Sequence, residues 1–322
     1  MRNTIAILLS LVAFPAAGDI DLALPVDCTL GDTCYVQNFV DHDVTPDAQD
    51  YRCGFLTYDG HKGTDFALMS LEDQRVGVDV LAAAPGRVTG ARDGMVDHRQ
   101  GTPDAPQVAD RECGNGVVID HGDGWETQYC HLARGTVAVA AGQQVDVGDR
   151  LGRIGLSGQT EFPHLHLSLR KDGEVVDPFD ADNRLTCDPE GVTESLWAEP
   201  LDVPQGGILA TGFSDAVPDY DTIKAGRAGA RSLQPASPAL VAWVYLFGGR
   251  EGDVVAVEIS GPAGSVLSDA QRLDRTQAQL FRAMGRRTPQ AGWPEGDYTA
   301  TFTLIRDDTP LDSQSTQISI AP

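Results

Sequence analysis

The sequence predicts a mainly β protein: an antiparallel β domain in the N-terminal half, then a small C-terminal β-sandwich of immunoglobulin-like architecture. Three observations carry this. Short Val-, Ile- and Thr-rich runs punctuated by Gly and Asp fill residues 53–180, and none has a convincing helical period. Four more such runs, ALVAWVYLFGG, DVVAVEISGP, GDYTATFTLIRD and STQISI, follow a stretch enriched in Pro, Gly and Ala. All six cysteines precede residue 190, so any disulfides serve the first half alone.

Taken in order, residues 1–18 (MRNTIAILLSLVAFPAAG) place one positive charge before an apolar stretch and end in small residues, the pattern of a secretory signal peptide. The stretch is too short to span a bilayer, and nothing later is longer, so no stable membrane insertion is expected. Residues 19–52 form an acidic, cysteine-bearing lead segment. Residues 53–187 are the first domain. Within it VVIDHGDGWETQY reads as a hairpin turning at Gly122-Asp123-Gly124, and LRKDGEVV as another turning at Asp172-Gly173. Residues 91–112 interrupt the pattern with a polar loop, either a wall of a substrate groove or a plain decorative loop. Residues 188–235 are a connector and 236–322 the sandwich. In its middle QLFRAMGRRTP reads as a short helix or loop, with Arg272, Arg275, Arg282, Arg286 and Arg287 around it. These arginines are either a solvated face or a docking patch for an anionic protein partner.

An even cysteine count in an exported chain predicts disulfides. Six cysteines allow fifteen pairings; the preferred set is Cys28 with Cys34 across a short loop, Cys113 with Cys130 flanking the first hairpin, and Cys53 with Cys187 stapling the ends of the domain. The formal charge of −23 repels phosphate backbones, which argues against nucleic acid as a partner.

The chemistry gathers around histidines. In PHLHLSL, His164 and His166 are two apart on a predicted strand and share a face. In GHKGTDFAL, His61 precedes Asp65 by four residues, with Gly63 between them to let the backbone turn. YCHLA places His131 at the end of another strand. Two imidazoles and a carboxylate suit zinc, and three protein ligands leave one position open for water.

Together with AAAPGRV, GNGVVIDHGDG and VDVGDRLGRIGLSG, in that order, these motifs make residues 54–180 resemble the lysostaphin/LytM-type zinc endopeptidases, whose fold is of the duplicated-hybrid-motif kind. The resemblance implies one Zn2+ per chain held by His61, Asp65 and His166. It implies two further catalytic histidines, His131 and His164. His164 is assigned as the base and His131 as the stabiliser of the developing oxyanion. The implied substrate is the peptide cross-link of bacterial peptidoglycan, and the expected location is the periplasm. Two departures stand out. The family's Phe-Glu after the His-x-His is here Leu167-Ser168, which puts the orientation of the site in question. The 91–112 insertion does the same for substrate preference.

The other candidates have plainer readings. His121 is structural, and His42 is a surface or packing residue. His98 sits in the insertion as a plain loop residue or a substrate contact, Asn115 is a turn former or a groove-orienting amide, and Tyr58 packs or donates to an oxyanion. A Cys130–His131 dyad is set aside, because adjacent strand residues face opposite ways. Two other function classes compete. A LytM-type regulator that activates other wall hydrolases would not need five intact site residues. A biotinyl or lipoyl carrier would need a modifiable lysine, and Lys171 lacks that context.

Overall fold

A computed structural model of the chain describes residues 20–102, 104–181, 187 and 195–322. The expected signal peptide lies outside the described residues, as does much of the start of the connector.

The first half is built on an eight-stranded antiparallel sheet. Its strands are β1 (Cys34–Asn38), β2 (Thr64–Leu68), β4 (Gly86–Arg92), β5 (Asn115–Gly122), β6 (Trp125–Leu132), β7 (Gln144–Val145), β9 (His164–Lys171) and β10 (Glu174–Val176). The order is β1-β2-β9-β6-β5-β4-β7, with β10 also paired to β9. A separate ribbon joins β3 (Asp79–Leu81) to β8 (Arg150–Arg153), and α1 (Leu71–Val76) is a single short helix capped by Ser70. Both anticipated hairpins form. Gly122, Asp123 and Gly124 all adopt positive φ at the β5–β6 turn, as do Asp172 and Gly173 at the β9–β10 turn. Such turns match the twist of the strands they join.

On β9 the alternation is clean. Leu165, Leu167 and Leu169 are at most 1 % exposed and lie in the core with Phe66 and Tyr129. Burying each leucine is worth about 1.5–3 kcal/mol. A slip of one residue would send them to the other face, so their burial fixes which side receives His164, His166 and Ser168.

Three stretches differ from the sequence reading. β1 lies in the lead segment, yet it pairs with β2 and forms one edge of the main sheet. In the stretch read as connector, β11 (Gly207–Ser214) and α2 (Tyr220–Lys224) are already formed, and β11 pairs with β12 (Ala239–Gly249). Glycine hides β11 in the sequence: a Cβ at Gly212 would lie 2.5 Å from the Trp243 ring, so this strand position has no side chain to reveal it. The third is QLFRAMGRRTP, which is neither helix nor loop. It belongs to β15 (Gln277–Arg287), paired with β12 along its length, with Leu280 and Met284 turned into the core. Arg282, Arg286 and Arg287 lie on this strand, and Arg272 and Arg275 precede it in sequence.

The second half adds β13 (Val254–Gly261), β14 (Gly264–Arg272), β16 (Gly296–Arg306) and β17 (Thr309–Ile320). Its sheets, β11-β12-β15 and β14-β13-β16-β17, pack face to face over Leu240, Val244, Val257 and Phe302. Lettered A to G, this is A-B-E against D-C-F-G; the constant-type immunoglobulin order keeps strand D with A, B and E. The outer face of the three-stranded sheet is buried too. Trp243, Tyr245 and Phe247 join the core of the first half, and the Tyr35 and Phe247 rings lie 4.5 Å apart.

All three preferred disulfides are present: Cys28–Cys34, Cys53–Cys187 and Cys113–Cys130. Cys130 therefore has no free thiol, which removes the dyad alternative.

Candidate metal centre

Sheet register assembles the site. Asn38 of β1 stands opposite Asp65 of β2, Asp65 opposite His166 of β9, and His166 opposite Cys130 of β6, forming a row across four strands. His61 enters from the turn just before β2. The result is a cluster in which His61 Nε2, Asp65 Oδ1 and His166 Nδ1 converge. The separations are 3.2 Å from His61 to Asp65, 3.1 Å from His61 to His166 and 2.8 Å from His166 to Asp65. It is the one group of three or more potential ligands found among the described residues. Gly63 serves a different purpose from the turn read in the sequence. A Cβ there would lie 2.7 Å from His166 Nε2, so glycine is what lets the two strands close around the ligands.

The donor set fits a metal ion, because each ligand is held by a partner that leaves one atom facing inwards. His61 Nδ1 donates to the Phe39 carbonyl at 2.6 Å, which frees Nε2 as an acceptor. Asn38 Nδ2 donates to Asp65 Oδ2 at 2.8 Å, which leaves Oδ1 for the ion. His166 Nε2 meets Ser168 Oγ at 3.0 Å, which leaves Nδ1. Such outer partners fix ring orientation and tautomer. The question raised by Leu167-Ser168 is thus answered locally: the serine hydroxyl orients His166.

Two more imidazoles face the cluster. His164 Nδ1 lies 2.9 Å from the Phe162 carbonyl and 3.1 Å from Thr160 Oγ1, with Nε2 3.4 Å from Asp65 Oδ1. His131 Nδ1 donates to the Ser157 carbonyl at 2.9 Å, and its ring centre is 4.7 Å from that of His164. Cys130 pairs with His166 and so faces the site, and simple alternation would turn His131 away. Its backbone breaks the alternation, with φ at +64°. Left-handed backbone is unfavourable for a residue with a Cβ, and here it is enforced from both sides. His131 N donates to the carbonyl of Cys113, the disulfide partner of Cys130, and its carbonyl accepts from Gly155 N.

Burial and charge act against each other in this cluster. Burial pushes the Asp65 carboxyl up, but the neighbouring His61 and His164, with hydrogen bonds from His164 and His166, hold it well below the usual carboxylate range. Burial pulls His61 down, and the charge and hydrogen bond of Asp65 outweigh it, leaving His61 raised. His166 is lowered by burial, only partly offset by Asp65. His131 is pushed well down by burial and by the adjacent His164 and His166, so it is neutral at pH 7. With Nδ1–H committed to Ser157, its Nε2 is an acceptor.

The cluster opens onto a groove of about 1100 Å³ through Asp65, His131 and His164. The insertion forms one wall through Gln100, Pro106 and Val108, and Gln277 and Gln279 of β15 another, with Tyr220 and Lys224 of α2. Asp97 ties the insertion down, accepting from Leu156 N at 2.6 Å and Arg134 N at 2.9 Å.

The remaining candidates resolve as follows. His121 is bonded to the Pro85 carbonyl and to Thr127 Oγ1, a structural role. His42 is buried against Asp177 at 2.9 Å, away from the surface. His98 bonds within the insertion, to the Arg99 carbonyl. Asn115 is fully buried and joins Met95 of the insertion to the Leu132 carbonyl at the end of β6. Tyr58 is exposed on the groove rim, its ring 4.5 Å from that of His61. Sequence reasoning missed Asn38, the Phe39 carbonyl and Ser168. Only Ser168 carries a signal, since two residues after His166 on a strand it must share the face of the ligand.

Part of this chain is similar to known proteins. Residues 59–178 match the family described as Peptidase family M23, and they form an M23-type (LytM/lysostaphin-type) domain. The peptidoglycan DD-endopeptidase ShyA of Vibrio cholerae is 34 % identical over 121 residues, 38 % of this chain and 23 % of that protein. The cell division protein DipM of Caulobacter vibrioides is 34 % identical over 111 residues, 31 % of this chain and 18 % of that one. The chain thus spans less than a quarter of the length of either relative. Among solved structures, the catalytic domain of the antimicrobial peptidase lysostaphin from Staphylococcus simulans is 22 % identical with a TM-score of 0.28, covering 37 % of this chain and 76 % of that one.

Proposed function

From the M23-type domain of residues 59–178, we propose that this protein is an exported, periplasmic zinc metalloendopeptidase that hydrolyses peptide cross-links of bacterial peptidoglycan. The observation that carries the reading is the convergence of His61 Nε2, Asp65 Oδ1 and His166 Nδ1, each backed by its own partner, beside two further imidazoles in an open groove.

His61, Asp65 and His166 would hold one zinc ion. When bound, zinc supplies an acidified water and polarises the scissile carbonyl. The protein's own groups do the rest. His164, with Nε2 nearest the ligands, takes the proton at that atom and passes it to the leaving amine. His131 is built as a neutral acceptor, so it orients the attacking water through Nε2. The oxyanion role expected of it from the sequence would need a second N–H, and burial opposes the proton that would provide it. The groove walls align an extended peptide across the site.

The test pairs zinc content with digestion of purified peptidoglycan. His166→Ala is expected to lose zinc, whereas His164→Ala keeps zinc and stops releasing muropeptides. A wild-type chain that is zinc-free and inert sinks the reading in favour of a regulator of other hydrolases. Retained activity in both variants sinks the site assignment.

A further inference from the structure

The C-terminal sandwich reaches the metal centre through β1. On that strand Val36 pairs with Phe66 and Asn38 with Asp65, so Gln37 is an extra residue without a partner on β2, a β-bulge. Bulges re-aim the side chains around them and leave the inserted residue outside the ladder. This one sets Asn38 opposite Asp65 and brings the Phe39 carbonyl to His61. The geometry of two ligands therefore depends on what holds Gln37 in place.

That hold comes from the sandwich. Gln37 is 1 % exposed, and its Nε2 donates to the Ala278 carbonyl of β15 at 3.4 Å. Its Oε1 accepts from Tyr35 OH at 2.8 Å and from Gln279 Nε2 at 3.1 Å. Gln279 Nε2 also donates to Tyr35 OH at 2.8 Å, and Gln279 Oε1 accepts from Tyr245 OH of β12 at 2.7 Å. Burial pushes both phenols up, so both remain donors. Each phenol has one proton to give, and its direction fixes which way both amides face. Buried networks satisfied in this way are rigid.

We propose that Gln279, anchored by Tyr245, is a positioning residue for the metal ligands: it clamps the Gln37 bulge, which through Asn38 and Phe39 sets Asp65 and His61. The sandwich is then part of the frame of the metal centre. The inference rests on the metallopeptidase reading, but it concerns metal affinity without substrate, so the lining of the groove by Gln37 and Gln279 does not enter.

The test measures zinc affinity by chelator competition on the full chain. Gln279→Met keeps the volume and removes the network, and Tyr245→Phe removes its anchor, together with the hydroxyl contact to Tyr220. Gln314→Met is the control, because Gln314 Nε2 bonds the Ile208 carbonyl in the same sandwich without touching β1. Partners that bond a ligand directly are worth about 10–100-fold in affinity; one step further out, Gln279→Met and Tyr245→Phe should each lose about three- to tenfold. Gln314→Met should lose nothing, and Gln279→Met should add little on top of Asn38→Ala. Unchanged affinity in both Gln279→Met and Tyr245→Phe overturns the clamp, as does an equal loss in Gln314→Met. If the wild-type chain itself binds no zinc, the metallopeptidase reading falls and takes the clamp with it.

Discussion

Ser168→Ala isolates the one contact that stands where the family has an acidic residue. His166 faces the ligand cluster through Nδ1, so its proton sits on Nε2 and Ser168 Oγ accepts it at 3.0 Å. Ser168 is 3 % exposed, and water has little access to replace the hydroxyl. Leaving a buried donor without a partner costs about 1–3 kcal/mol. Part of that cost appears as rotation of the imidazole away from the ion. The usual penalty for losing a ligand's outer partner, about 10–100-fold in affinity, corresponds to about 1.4–2.7 kcal/mol. The two estimates agree, so Ser168→Ala is expected to weaken zinc binding by one to two orders of magnitude. Ser168→Thr keeps an oxygen at the same place and should retain most of the affinity. Chelator competition on the purified chain measures both. If Ser168→Ala binds zinc within about twofold of wild type, the serine does not orient His166 and the reasoning fails; an affinity lost equally in Ser168→Thr would point to packing instead.

Three other outcomes follow from the same structure. By the chain-entropy estimate, losing the Cys53–Cys187 bridge, which closes 134 residues, costs about 5 kcal/mol, against about 2 kcal/mol for Cys28–Cys34, which closes six. Urea denaturation of the paired Cys→Ser variants checks the order, and a larger loss for Cys28–Cys34 contradicts it. His121, His131 and His166 have lowered pKa values when folded, so below about pH 6.5 the unfolded chain binds more protons and metal-free stability falls as pH drops; raised His61 acts in the opposite sense. Melting with chelator from pH 7.5 to 5.5 should show the decline, and His121→Gln should flatten it; an unchanged slope removes His121 from the account. Asp97→Ala removes the insertion's side-chain bonds to Leu156 N and Arg134 N, so KM for peptidoglycan peptides should rise with zinc affinity unchanged, and an unaltered KM means the wall does not touch substrate.

What the sequence revealed was local. The two hairpins were legible because Gly122-Asp123-Gly124 and Asp172-Gly173 supply backbone that few other residues adopt. The shared face of His164 and His166 followed from the leucines between and after them. Asn38 was not legible, since its place opposite Asp65 depends on the register of a distant strand and on a bulge that no residue pattern announces. β15 was disguised because Leu280 and Met284 stand four residues apart, a spacing that shares a face on a strand as well as on a helix, and β11 by glycines packed against aromatic rings. His131 was placed correctly at the end of its strand, but its left-handed backbone, which turns it into the site, depends on a carbonyl 18 residues earlier.

The distribution of these residues separates chemistry from selectivity. The ligands sit on or beside β2 and β9, where the leucine core enforces register and leaves little freedom to vary. Much of the groove wall comes from elsewhere, from the start of the chain, the insertion and the sandwich. They also hold one another, since Arg99 of the insertion reaches Asp221 of α2 at 3.3 Å, and Asp221 pairs with Lys224 at 3.0 Å. Lys224 is the one lysine or arginine lining the groove among the described residues, and it shares that lining with Glu112 and Glu161. A peptide lying there would meet both signs of charge, from Glu112 on the insertion, Glu161 just before β9 and Lys224 on α2. The walls nearest the ligands are β1, which lines the groove through Gln37 and orients a ligand through Asn38, and β15, whose Gln279 lines it and holds Gln37. At β1 a change in the groove and a change in the metal centre become the same event.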